Sequence, residues 1–107
     1  MTDKLQSLLE KRGPIKKIGV IGMGYVGIPA AALFADSPEF DKVLGFQRNS
    51  PTSGYKIDML NHGESPLKGE EPGLEDLLRK VVEKDKFECT PDFSRIGEMD
   101  AVTLAIQ

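Results

Sequence analysis

The sequence predicts an α/β protein, a partial doubly wound parallel sheet of about four strands in the order β-α-β-α-α-β-β. Three observations predict it. Short apolar runs that read as strands alternate with alanine-rich or amphipathic runs that read as helices. The first strand, Ile15 to Ile21, is apolar beyond Lys17, as a strand buried on both faces of a parallel sheet is. It passes directly into the glycine-spaced turn Gly22-Met23-Gly24-Tyr25-Val26-Gly27, which opens a helix.

Each element follows in order. Residues 1–13 form an N-terminal helical extension, with Leu5, Leu8 and Leu9 on one side and Gly13-Pro14 as its stop. Residues 14–107 form the first part of one domain. After the first strand, a helix spans Tyr25 to Asp36, with Pro29 near the end of its first turn and Ser37-Pro38 ending it. Asp41 to Gln47 is the second strand, and Ser50 to Asn61 a helix with Ile57, Met59 and Leu60 inward. Asn61 to Gly73 is a glycine- and proline-rich loop. Leu74 to Lys84 is an amphipathic helix that turns Leu74, Leu77, Leu78, Val81 and Val82 to the core. Lys86 to Thr90 is the third strand, Pro91 to Ile96 a short turn or helix, and Asp100 to Ile106 the fourth strand. Parallel strands joined this way imply right-handed crossovers.

Composition removes several functions. A chain of 107 residues holds one small domain. Its net charge is -3, and its one basic cluster, Lys11, Arg12, Lys16 and Lys17, reads as a solvated rim, so nucleic acid is not an expected partner. The uncharged run from Ile18 to Ala35 is broken by glycines and Pro29, which suits neither a membrane span nor a signal peptide. Cys89 is the one cysteine, so there is no internal disulfide and no Cys-based zinc site, in keeping with a reducing cytoplasm. Within its strand, Cys89 reads as a small core residue. No metal-ligand spacing is present. His62 and the Glu70-Glu71 pair read as solvated loop residues, so no catalytic residue is assigned.

The turn carries the chemistry. G-x-G-x-x-G between a strand and a helix is the dinucleotide fingerprint of a Rossmann-type domain. Gly22 allows the tight turn, Gly24 lets a pyrophosphate approach the backbone, and Gly27 lets helix and sheet pack closely. The free N–H groups and the positive helix end then meet the phosphates, which makes Gly22 to Gly27, with Met23, Tyr25 and Val26 between the glycines, the candidate cofactor cradle. About 20 residues on, an acid ordinarily holds the ribose hydroxyls. Gln47 stands there instead, followed by Arg48. A neutral amide can bond a hydroxyl but repels no 2′-phosphate, and Arg48 could attract one. NAD is favoured as cofactor, with NADP left open.

Two further blocks extend this. Leu60-Asn61-His62-Gly63-Glu64-Ser65-Pro66 precedes Glu71-Pro72-Gly73-Leu74 and Leu77-Leu78, and Thr90-Pro91-Asp92 precedes the fourth strand. Together with Gly22 to Pro29, these resemble the N-terminal domain of the UDP-glucose/GDP-mannose dehydrogenase family, over Ile15 to Ile106. The resemblance implies an NAD-dependent oxidation of the C6 alcohol of a nucleotide sugar to a carboxylate. It also implies a sugar-binding domain and a central helix that makes a homodimer, both outside this sequence, as are the family's catalytic residues. Cys89 does not match the family's cysteine motif. Lys56 matches a lysine that approaches the adenosine ribose. Here the connection before it looks about four residues longer than usual, roughly one helical turn.

The expected function is therefore the NAD-binding portion of a cytoplasmic nucleotide-sugar 6-dehydrogenase, inactive alone. The competing reading is a stand-alone nucleotide-binding or regulatory module. Against it, an apolar last strand is an unprotected edge, where a native boundary is expected in a polar linker. A relative of 6-phosphogluconate dehydrogenase is disfavoured by the Glu71-Pro72-Gly73-Leu74 block.

Overall fold

The computed structural model describes residues 15–52, 54–67 and 73–105. The helical extension of residues 1–13, Glu70, Glu71 and Ile106 lie outside them. Four strands, β1 (Lys17–Ile21), β2 (Lys42–Phe46), β3 (Phe87–Thr90) and β4 (Ala101–Leu104), form one sheet in the order β3-β2-β1-β4. Every pairing is parallel, and Ile21 lies level with Phe46 on one side and Leu104 on the other. The α/β class, the parallel sheet and the element order are as the sequence predicts.

Strand alternation assigns the two faces. Ile18, Val20, Val43, Phe87 and Cys89 point to one side, where they join Ile28, Ala31, Ala32 and Ala35 of α1 (Gly27–Asp36) and Leu60 of α2 (Tyr55–Asn61). Leu74, Leu78 and Val81 of α3 (Leu74–Glu83) complete this core, with Leu77 and Val82 at its margin. Each fully buried side chain of this size contributes about 1.5–3 kcal/mol relative to exposure. Leu44 and Phe46 point to the opposite face and are also fully buried. There Phe46 meets Phe93 at a centroid distance of 5.6 Å, on a 3₁₀ turn spanning Phe93–Glu98. Arg95 of that turn reaches Glu88 of β3 at 2.7 Å and fixes it to the sheet.

Two helices begin later than the sequence suggests. α2 starts at Tyr55, not Ser50. Pro51 turns the preceding residue away from helical backbone, and the Gly54 N–H closes a separate turn on the Ser50 carbonyl at 2.8 Å. α1 starts at Gly27, because Tyr25 and Val26 form a turn whose carbonyls and that of Gly24 lead into the helix: Ile28 N–H bonds Gly24 at 3.0 Å and Ala30 N–H bonds Val26 at 3.2 Å. Pro29 thus falls within the first helical turn, and lacking an N–H it omits the bond to the Tyr25 carbonyl, the counterpart of those that Ile28 and Ala30 make to Gly24 and Val26 on either side.

Candidate cofactor site

Because the strands are parallel, all four C-terminal ends share one edge. The chain leaves β1 toward β2 and β3 on one side, and β4 lies on the other, so β1 ends at the point where strand order reverses. In open α/β sheets that crevice is where ligands bind. The Gly22–Gly27 turn sits there.

Its shape is set by side-chain absence. Gly22 has φ 99°, a backbone that L side chains rarely adopt, and its N–H bonds the Phe46 carbonyl at 3.0 Å. A Cβ on Gly27 would fall on the Gly22 carbonyl oxygen, and its next neighbour would be the Gly22 carbonyl carbon at 2.9 Å. The start of α1 therefore lies directly against the end of β1. Among the described residues, the N–H groups of Gly24, Tyr25 and Val26 make no hydrogen bond. Three unpartnered donors beside a helix start are the groups that an anion cradle would require.

Met23 differs from its neighbours. Its side chain is buried in the core, while Tyr25 and Val26 are exposed. Its N–H donates to Gln47 Oε1 at 3.2 Å, and its carbonyl accepts from Lys56 Nζ at 3.2 Å. Met23 anchors the turn, and its main chain brings Gln47 and Lys56 to it. The longer connection before Lys56 does not carry the ammonium away. α2 lies across the sheet edge and delivers that charge to the loop where phosphates are expected. The role of this Met23 clasp was not legible in the sequence, because it joins residues from three separate segments.

Arg48 is exposed and, with Asn49, Pro91 and Phe93, lines an open cavity of about 590 Å³ between the ends of β2 and β3. The sequence singled out Arg48 as a site residue and Pro91 only as part of the Thr90-Pro91-Asp92 block, and gave no sign of Asn49 or Phe93. Asp92 caps the 3₁₀ turn, accepting from Ser94 N–H at 3.1 Å, and the two bonds to Ser94 hold its carboxyl below the usual carboxylate range.

The other candidates stand apart. His62 is exposed at the end of α2, where its Nδ1 lies 2.7 Å from the Asp58 carbonyl oxygen. Cys89 is buried, and burial, reinforced by Glu88, pushes its thiol up to about 12, so it is no nucleophile at neutral pH. Among the described residues no group of His, Cys, Asp and Glu could hold a metal, and no helix is long and apolar enough to cross a membrane.

Residues 16–107 match the NAD binding domain of the UDP-glucose/GDP-mannose dehydrogenase family. The chain belongs to that family. Its match to the family's NAD-binding domain makes NAD the cofactor, and the cradle of free N–H groups fits a diphosphate. A crystal structure of NDP-N-acetyl-D-galactosaminuronic acid dehydrogenase from Methanosarcina mazei Go1 is 80% identical, with TM-score 0.91, over 97% of this chain and 22% of that one. GDP-mannose dehydrogenase from Pseudomonas aeruginosa, solved as a ternary complex, is 32% identical with TM-score 0.71, over 84% of this chain and 19% of that one. Among curated relatives, GDP-mannose 6-dehydrogenase of Pseudomonas syringae pv. syringae is 38% identical over 73% of this chain and 16% of its own length. UDP-N-acetyl-D-mannosamine dehydrogenase of Campylobacter jejuni is 35% identical over 84% and 19%. This family member thus spans about a fifth of the relatives it matches.

Proposed function

We propose that this chain is the dinucleotide-binding portion of an oxidoreductase that converts the C6 hydroxyl of a nucleotide sugar to a uronate. The observation that carries the reading is the Gly22–Gly27 cradle at the strand-order reversal, with Lys56 drawn to it through Met23. The N–H groups of Gly24, Tyr25 and Val26 would hold the pyrophosphate, and Gln47 and Arg48 would stand at the adenosine ribose. Bound NAD would supply the hydride acceptor, and because alcohol to carboxylate is a four-electron oxidation, two molecules of NAD would be consumed, with water providing the second carboxylate oxygen. The residues of this chain bind and orient the cofactor, and none described supplies a nucleophile, so the chain alone has no turnover.

The similarity to the Methanosarcina mazei protein supports a nucleoside-diphosphate N-acetylgalactosamine as the sugar substrate, since its uronic acid is the C6-oxidised form. The whole protein would act as a homodimer in the cytoplasm. The test has two parts. Calorimetric titration of the 107-residue chain with ADP-ribose should show binding, and NAD with a nucleotide sugar should give no NADH. The whole protein should then reduce NAD with UDP-N-acetylgalactosamine in preference to UDP-glucose, UDP-N-acetylmannosamine or GDP-mannose. Turnover by the chain alone, or a whole protein silent on all four sugars, would count against the reading.

A further inference from the structure

In a dinucleotide site selective for NAD, an acid at the end of the second strand bonds the ribose 2′-hydroxyl and repels a 2′-phosphate. No acid occupies that place here. We infer that the ribose end of this site accepts a 2′-phosphate, so that the chain binds NADP as well as NAD. The inference rests on the proposed dinucleotide role of the Gly22–Gly27 turn and names the residues that set its cofactor range.

Gln47 is fixed by both ends of its amide. Oε1 accepts from the Met23 N–H at 3.2 Å, and Nε2 donates to the Arg48 carbonyl at 3.4 Å. Oε1 is thus held on the turn, and beside it the amide offers an NH₂ with a second hydrogen to donate. Arg48 follows, exposed and with no ion pair among the described residues. Arg48 and Asn49 form one wall of the cavity of about 590 Å³, and its described lining carries no carboxylate. The nearest acid in sequence, Asp92, has its carboxylate turned onto Ser94, from whose N–H and Oγ it accepts at 3.1 and 2.5 Å.

Amide and guanidinium donors therefore stand at the end of β2 without an opposing carboxylate. A ribose phosphate brings a charge of about −1.5 to −2, which a carboxylate would oppose and a guanidinium forks onto.

The test is calorimetric titration of the 107-residue chain and its Gln47→Glu and Arg48→Gln variants with ADP-ribose, NAD and NADP. Thermal unfolding of each variant serves as the folding control. In the unsubstituted chain the NADP dissociation constant should lie within about tenfold of that for NAD. Gln47→Glu keeps an acceptor for Met23 N–H and adds one negative charge, so it should raise the NADP-to-NAD ratio at least about tenfold. Arg48 is exposed, so its replacement cannot unfold the core, and it should raise the same ratio. ADP-ribose binding with NADP more than about tenfold weaker than NAD would overturn this inference and leave the dinucleotide role intact. No change of the ratio in either variant would also overturn it. Failure of ADP-ribose itself to bind would instead bring down the dinucleotide reading.

Discussion

The Asn61 carboxamide pairs with the main chain of Cys89 from outside the sheet: Nδ2 donates to the Cys89 carbonyl at 2.9 Å, and Oδ1 accepts from its N–H at 2.7 Å. β3 is an edge strand, so these two groups face away from β2 and have no strand to meet. The last residue of α2 supplies the pair of bonds that a further strand would have made. A carboxamide is the side-chain group that carries donor and acceptor side by side. Two residues on, Gly63 has φ 76°, and a Cβ there would lie 2.8 Å from the Arg79 Cα, so α2 ends in a tight reversal laid against α3. The Asn-x-Gly spacing thus makes a joint between helix and sheet.

Removing that joint should cost stability. Asn61→Ala loses both bonds and should lower the unfolding free energy by about 1–3 kcal/mol. Asn61→Asp keeps an acceptor but sets a carboxylate against the Cys89 carbonyl, and should destabilise as well. Urea denaturation of the three proteins checks this. An Asn61→Ala midpoint equal to the unsubstituted one would mean that water satisfies β3 equally well.

Gly27 and Gly24 should separate folding from binding. A methyl at Gly27 meets the rigid Gly22 carbonyl, so Gly27→Ala should displace α1 and cost about 3 kcal/mol or more. Gly24 lies at the mouth of the cradle, where a methyl would meet the incoming phosphate. Gly24→Ala should keep the thermal midpoint and weaken ADP-ribose binding by about tenfold or more. Paired thermal and calorimetric measurements decide it, and equal losses of stability in both variants would refute the division.

Much of this was legible in the sequence because it depends on local pattern. The apolar run of β1, the glycine spacing and the leucine period of α3 each fix an element from neighbouring residues alone. The helix starts were less legible: Tyr25 and Val26 carry nothing that excludes helix, and Pro51 and Gly54 moved the start of α2 to Tyr55. The Met23 clasp was hidden, because Gln47 and Lys56 reach the main chain of one residue from different parts of the chain. The cavity wall at Pro91 and Phe93 was hidden for the same reason, since β3 pairs with β2 only in three dimensions.

Lys56 should act on affinity more than on the fold. Its ammonium bonds one carbonyl, and Met23 keeps its buried side chain and its bond to Gln47 without it. Lys56→Met should weaken ADP-ribose binding by about tenfold and flatten its dependence on salt, since one cation near the phosphates is lost. Calorimetry at low and high salt measures both effects. An unchanged affinity at low salt would show that the ammonium serves the turn alone.

The Cys89 thiol predicts a specific behaviour at high pH. An unfolded cysteine ionises near 9.0, whereas the buried one holds its proton to about 12, through burial first and the Glu88 charge second. Between those values the unfolded state binds fewer protons than the folded state, so this group's contribution to stability is complete below 9.0 and declines as pH rises toward 12. The steepest decline for one group is about 1.4 kcal/mol per pH unit. Lysines and tyrosines also titrate in this range, so the informative quantity is the difference from Cys89→Ala, which keeps them and lacks the thiol. At neutral pH the unsubstituted chain should be the more stable, because alanine leaves part of a packed site empty. That advantage should shrink steadily above pH 9, as urea midpoints at successive pH values would show. In the same range a disulfide reagent should label folded Cys89 only as fast as the sheet opens. A pH-independent difference between the two proteins, with rapid labelling of the native chain, would mean that Cys89 meets solvent and ionises like a free thiol.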